Sequence, residues 1–90
     1  LDIVFDPAKD LLNQAKHGAS LALAEILFAA PHTVESGDRF DYGETRQVAM
    51  GRVGGRVFVC VFVDRGDSRR VISLRRANRR EVQRFDQAIQ

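Results

Sequence analysis

The sequence predicts an α+β domain: two N-terminal helices packed on a largely antiparallel sheet, closed by a C-terminal helix. Three observations predict it. Asp6-Pro7 opens a stretch with apolar residues at helical spacing. Gly54-Gly55 joins two strand-like runs, the second of which is rich in valine. Asn78 and Glu81 stand at capping-box spacing ahead of Val82, Phe85 and Ile89. Ninety residues, 44% of them apolar, fit one domain over residues 1–90. The longest apolar run, Val57 to Val63, is too short to cross a bilayer, so no membrane association is expected. A single cysteine excludes an intrachain disulfide, and with no secretion signal the expected location is the reducing cytoplasm.

The elements follow in order. Asp6 is an N-cap and Pro7 a first helical residue; Leu11, Leu12 and Ala15 recur at helical spacing, and Lys16-His17-Gly18 supplies last-turn cations and a left-handed C-cap. A helix over residues 7–17 follows. Ser20 caps a second helix carrying Leu21, Leu23, Ile26, Leu27 and Phe28 and stopped by Pro31, and the two helices are expected to form a hairpin over the sheet. His32 to Glu35 reads as a short strand, and Ser36 to Gly43, polar with two glycines, as a loop. Residues 46–53 and 56–64 read as a hairpin whose second strand alternates valine with Phe58, Cys60 and Phe62, so both of its faces are expected to be buried at the centre of the sheet. Gly66-Asp67 turns the chain into a strand over 69–76, and alternation there sets Val71, Ser73 and Arg75 against Arg70, Ile72, Leu74 and Arg76. With Ile72 and Leu74 toward the helices, Ser73 and Arg75 face away.

Charge divides the chain in two. Residues 1–45 carry three basic residues against eight acidic ones, a balance of −5, whereas residues 46–90 carry eleven arginines against four acids, a balance of +7. Arginine forks match phosphate or carboxylate in a bidentate way, so an anionic partner is implied; a solvated basic surface or an edge strand guarded by charge is the plainer reading. Arg65, Arg69, Arg70, Arg75, Arg76, Arg79, Arg80 and Arg84 lie within twenty residues. Glu81 is accounted for as a capping-box acid and His17 as a helix-end cation, although both are residue types suited to proton transfer. Cys60 alternates with large apolar neighbours and reads as a buried thiol. His17, His32 and Cys60 lack paired metal-ligand spacings, and no glycine-rich phosphate loop precedes a helix, so no metal and no cofactor is expected.

Separated signatures then coincide: Phe5-Asp6-Pro7 with Lys9, Asn13 with Lys16-His17-Gly18, Gly43-Glu44 with Arg46, Gly55-Arg56 and a valine-rich strand, Arg65, Val71-Ile72-Ser73, Arg75, Ala77 and Glu81. Their order and spacing resemble the BrnT family, toxins of bacterial type II toxin-antitoxin pairs, from Phe5 to Phe85. The resemblance implies a RelE-like α+β fold, metal-independent RNA cleavage that inhibits translation, and neutralisation by a BrnA-like ribbon-helix-helix antitoxin through which alone the complex meets operator DNA. Carried onto this chain, it implies Lys16, His17, Arg65, Arg75 and Glu81 as catalytic candidates. Arg46, Arg70, Arg76, Arg79 and Arg80 are the candidate RNA contacts. Phe5 and Leu74 depart from the tryptophan and alanine of many relatives, while the arginine positions are kept.

Overall fold

The computed structural model describes residues 1–41 and 43–89, with the side chains of all of these except 38–41. The elements are β1 (Asp2–Val4), α1 (Pro7–His17), a 3-10 turn (Leu21–Leu23), α2 (Ala24–Ala29), β2 (His32–Asp41), β3 (Glu44–Val53), β4 (Arg56–Arg65), β5 (Ser68–Arg76) and α3 (Arg79–Ile89). The five strands form one sheet in the order β1-β5-β4-β3-β2, antiparallel except for the pairing of β1 with β5. The valine-rich β4 is the central strand. Its even residues Phe58, Cys60 and Phe62 join Leu21, Ala24, Leu27, Val71 and Leu74 in one buried cluster; its odd residues Val57 and Val59 join Met50 and Phe85 in another. The first cluster lies under the turn and α2, the second under α3, so a strand without polar alternation is covered on both sides.

The local signals at α1 hold, but the face it turns inward is not the one that carries Leu11 and Leu12. Asp6 accepts from the Ala8 N–H at 2.9 Å, and Gly18, at φ 68°, donates its N–H to Gln14 at 2.8 Å. Leu11 and Leu12 nevertheless face solvent, 68% and 70% exposed, while Asp10, Asn13 and His17 turn inward. The reason is the edge of β5. β1 pairs only with Ser68 to Arg70, so farther along Leu74 presents an N–H and a carbonyl with no strand beside them. Asn13 supplies both partners: its Nδ2 donates to Leu74 O and to Ala19 O, each at 2.8 Å, and its Oδ1 accepts from the Leu74 N–H at 3.2 Å. Asp10 likewise accepts from the Leu21 N–H at 2.7 Å and from the Ser20 hydroxyl at 3.1 Å, fixing the loop after the helix. Satisfying buried backbone groups therefore decides which face of α1 turns in, against its apolar pattern.

Two further differences concern the sheet. The segment expected as a loop from Ser36 is instead strand as far as Asp41, because β2 pairs with β3 along most of its length, with an irregularity between Ser36 and Phe40; Tyr42 lies outside the described residues. Gly37 suits that pairing, since a Cβ there would sit 2.8 Å from the Arg46 carbonyl oxygen. In β5 the alternation breaks at a bulge. Ser73 pairs with Val61 and Val71 with Phe62, so Ile72 is an extra residue. Val71 consequently shares the helix-side face with Leu74, while Arg70, Ser73 and Arg75 lie together on the face that bears α3. Strict alternation had set Arg70 apart from Arg75.

The second helix is short. Leu21 of the 3-10 turn and Ala24 and Leu27 of α2 are wholly buried, and Leu27 packs so closely on β3 that a Cβ at Gly51 would lie 2.9 Å from its Cγ.

Candidate nucleic-acid interface and active site

The capping-box residues of α3 build the first part of the site. Asn78 Oδ1 accepts from the Glu81 N–H and Glu81 Oε1 accepts from the Asn78 N–H, both at 2.9 Å. Glu81 then has a second task, because its two oxygens accept from Nη1 and Nη2 of Arg75, each at 2.9 Å. Arg75 Nη1 also donates to the Arg76 carbonyl at 3.3 Å. These contacts use the end of the guanidinium and leave the Nε–H and one Nη2 hydrogen along its side, a two-donor fork of the kind that receives a phosphate. The Arg75 side chain is 41% exposed and Glu81 14% exposed, so a carboxylate braced at a helix start aims a partly open cation.

Electrostatics agree with that division of labour. Hydrogen bonds from Arg75 hold the Glu81 carboxyl below the usual carboxylate range, assisted by the Asn78 N–H and the charges of Arg75 and Arg84 and opposed by burial. The same hydrogen bonds raise the Arg75 pKa. A carboxylate with a lowered pKa is a poor proton acceptor and a good anchor. Its stabilising contribution is complete above the unfolded-chain value of about 4.3 and is lost as pH falls through the lower folded value. Glu81→Gln is therefore expected to be less stable than the parent at pH 7, with the gap closing toward pH 3 when unfolding midpoints are compared across that range; a gap independent of pH would remove this account.

A second group of cations lies farther along the same face. Between β1, the start of α1 and the joined ends of β4 and β5 is an open concavity of about 690 Å³, lined by Val4 and Val63, by Lys9, Arg65 and Arg70, and by Asp6 and Ser68. Arg65 is paired with Glu44 at 2.6 Å, whereas Lys9 and Arg70 make no ion pair or hydrogen bond through their side chains among the described residues. Arg65 and Arg75 do not converge. Arg75 stands opposite Val59 and Arg65 lies six residues farther along β4, a separation of about 20 Å at the strand rise. Arg70, opposite Val63, is about 13 Å from Arg75 by the same measure.

The remaining predicted residues are spread around these two groups. Arg46 precedes Gln47 in β3 and by alternation lies on the side of Val48 and Met50, the α3 side. Arg79 and Arg80 are exposed in the first turn of α3, where the helix dipole disfavours cations and gives no structural reason for them. Arg76 is exposed at the end of β5 and borders a shallow hollow with Arg52 and Arg56. β1 and α1 advance along β5 in its own sense, Val4 beside Arg70 and Asn13 beside Leu74, so the last turn of α1 carries Lys16 and His17 toward the end that bears Arg75. Neither forms a hydrogen bond or ion pair with Arg75 or Glu81. Lys9 was not singled out as a site residue by the sequence reading; its place beside Arg70 depends on the parallel pairing of β1, which three residues of strand do not advertise.

Two groups that sequence leaves open are structural. Arg69 is clamped by Asp64 at 2.7 and 3.0 Å and stacked between Phe28 and Phe62, its guanidinium carbon 4.5 and 4.4 Å from the ring centres. Burial pushes the Cys60 thiol up to about 12, partly offset by the charge of Arg69, which leaves it protonated and unreactive at neutral pH. Among the described residues no three His, Cys, Asp or Glu side chains are grouped to hold a metal ion, and no helix is long and apolar enough to cross a membrane.

The comparison with protein families bears directly on these arginines. A model described as the ribonuclease toxin, BrnT, of a type II toxin-antitoxin system matches residues 5–81. The chain belongs to the BrnT family. The BrnT match spans both cation groups and ends at Glu81, the residue that braces Arg75. Membership makes RNA the substrate class, strand cleavage the reaction and an antitoxin the partner of this BrnT toxin. No curated protein matches the chain.

Proposed function

We propose that this chain is a single cytoplasmic domain that cleaves RNA without a metal and thereby inhibits translation, using the substrate's own 2′-hydroxyl as nucleophile. The observation that carries this reading is the Arg75 fork: a cation fixed by Glu81 and Arg76, with two parallel donors on one side that no described residue uses. As the 2′-oxygen attacks, the phosphate gains negative charge, and a donor already held in place stabilises that change without reorganising. Glu81 then serves as a positioning residue. Proton removal from the 2′-hydroxyl and protonation of the leaving 5′-oxygen fall to His17 or Lys16 at the end of α1, the titratable groups carried toward Arg75. Arg46, Arg70, Arg76, Arg79 and Arg80 hold the rest of the chain through its phosphates, and Arg65 takes a neighbouring phosphate instead of the scissile one. A BrnA-like ribbon-helix-helix antitoxin neutralises the toxin by covering this basic surface, and operator DNA is met through the antitoxin alone.

The test is cleavage of an RNA oligonucleotide in excess chelator, with the products identified by mass. The expected result is product in molar excess over protein, ending in a 2′,3′-cyclic phosphate, and suppression of cleavage by the antitoxin. Products ending in a 3′-hydroxyl, or activity abolished by the chelator, would overturn the mechanism. Stoichiometric binding without product would leave a binding module in its place.

A further inference from the structure

The concavity beside β1 is set apart from the Arg75 fork, yet it shares a sheet face with it. Its floor is apolar: Val63 is buried to 4% exposure, and Val4, at 37%, is among the exposed large apolar residues of the protein. Its rim holds two cations, Lys9 and Arg70, that form no ion pair among the described residues, together with one carboxylate, Asp6. Asp6 accepts from the Ala8 N–H as the N-cap of α1, and with Arg65 paired to Glu44 its one negative charge leaves the two cations in excess. An apolar floor with cations in excess at its edge matches a nucleotide, whose base or ribose presents a flat, weakly polar face and whose phosphate presents charge. The distance from Arg70 to Arg75, about 13 Å along the ladder, is too great for both to hold one phosphate by strand geometry alone and suits separate phosphates of one strand.

We propose that this concavity is a subsite for a nucleotide flanking the cleaved bond, with Val4 and Val63 under its base or ribose and Lys9 and Arg70 on its phosphate. The proposal rests on the ribonuclease reading above and adds to it where the substrate runs: from the Arg75 fork along β5 toward β1. Arg65, tied to Glu44, closes the end of the concavity. A substrate too short to reach the subsite forgoes its binding contribution, so discrimination by substrate length is built into the sheet face.

The experiment compares a dinucleotide and a hexanucleotide containing the same cleavable step, with the parent protein and with Lys9→Ala, Arg70→Ala and the double variant. All replaced side chains lie on the surface, and melting midpoints confirm folding. In the parent the hexanucleotide is expected to have the higher kcat/KM. Each single substitution is expected to lower the ratio of hexanucleotide to dinucleotide kcat/KM about tenfold through KM, the loss of one charge-assisted phosphate contact. Arg75→Ala lowers both substrates alike and so separates the fork from the subsite. An unchanged ratio in the double variant would overturn the proposal while leaving the ribonuclease reading intact. If the parent cleaves neither substrate, the ribonuclease reading fails, and binding of a 2′-O-methyl hexanucleotide by fluorescence anisotropy still decides the subsite. There, the double variant is expected to bind more weakly, with the slope of log affinity against log salt shallower by between one and two. Equal binding, or a loss of affinity for the antitoxin alone, would assign the concavity to a protein partner and overturn the proposal.

Discussion

Arg75→Ala is expected to lower turnover on RNA by about 10²–10³-fold, the usual consequence of removing one preorganised donor to a developing oxyanion. The loss should fall on kcat, because the Arg75 fork is aimed where charge grows during the reaction, whereas the other arginines serve ground-state binding. Folding should survive: the side chain is 41% exposed and Glu81 keeps its capping bond to the Asn78 N–H. Arg75→Lys restores the charge without the two parallel donors, and it should recover only a small part of the lost rate. Cleavage by folded Arg75→Ala at the parent rate would remove the fork from the mechanism.

The largest effect on stability is expected at Asn13. Its side chain, 6% exposed, makes three hydrogen bonds to the backbone, two of them to the Leu74 peptide groups on the edge of β5. Asn13→Ala leaves those groups without partners in a site closed to water, at a cost of about 3 kcal/mol. For a domain of this size that corresponds to a fall of about 12–24 °C in melting midpoint. Asn13→Asp separates hydrogen bonding from volume. It keeps an acceptor for the Leu74 N–H but sets a carboxylate against two carbonyl oxygens, so its folded-state pKa should be raised. Sign and pH window follow from that: Asn13→Asp should be least stable near neutrality and recover as pH falls and the carboxyl protonates, the reverse of the behaviour expected at Glu81. A melting midpoint for Asn13→Ala within a few degrees of the parent would show that water or another group reaches the β5 edge.

The two sites were legible in the sequence to different degrees. Asn78 and Glu81 at capping-box spacing, with Arg75 three residues upstream of Asn78, placed the parts of the fork within one short segment, and a helix start holds such parts close together. What the spacing could not show is that one carboxylate does both jobs, since capping-box spacing accounts for Glu81 without any contact to Arg75. The concavity was not legible as a unit. Lys9 and Arg70 are far apart in the chain and become neighbours only because β1 adds in parallel beside β5. Asn13 was read only as part of a motif, because a lone asparagine inside a helix carries no signal of the unpaired strand edge it serves. The separation of Arg65 from Arg75 was hidden for a related reason: both are candidates on neighbouring strands, and only the ladder register shows them about 20 Å apart.

By itself the sequence determined the order of the elements from α1 onward, the caps of α1 and α3, the central place of β4 and the concentration of arginine in the second half. These are local or compositional properties, governed by backbone capping, side-chain periodicity and burial on both faces of a strand. Only the tertiary structure decided which face of α1 turns inward, where β5 loses its alternation, and which cations share a hollow. Each of those depends on satisfying backbone groups or aligning strands that are distant in sequence, and a hydrogen bond left unmade in a closed site outweighs the preference of two leucines for burial only when the partner's position is known.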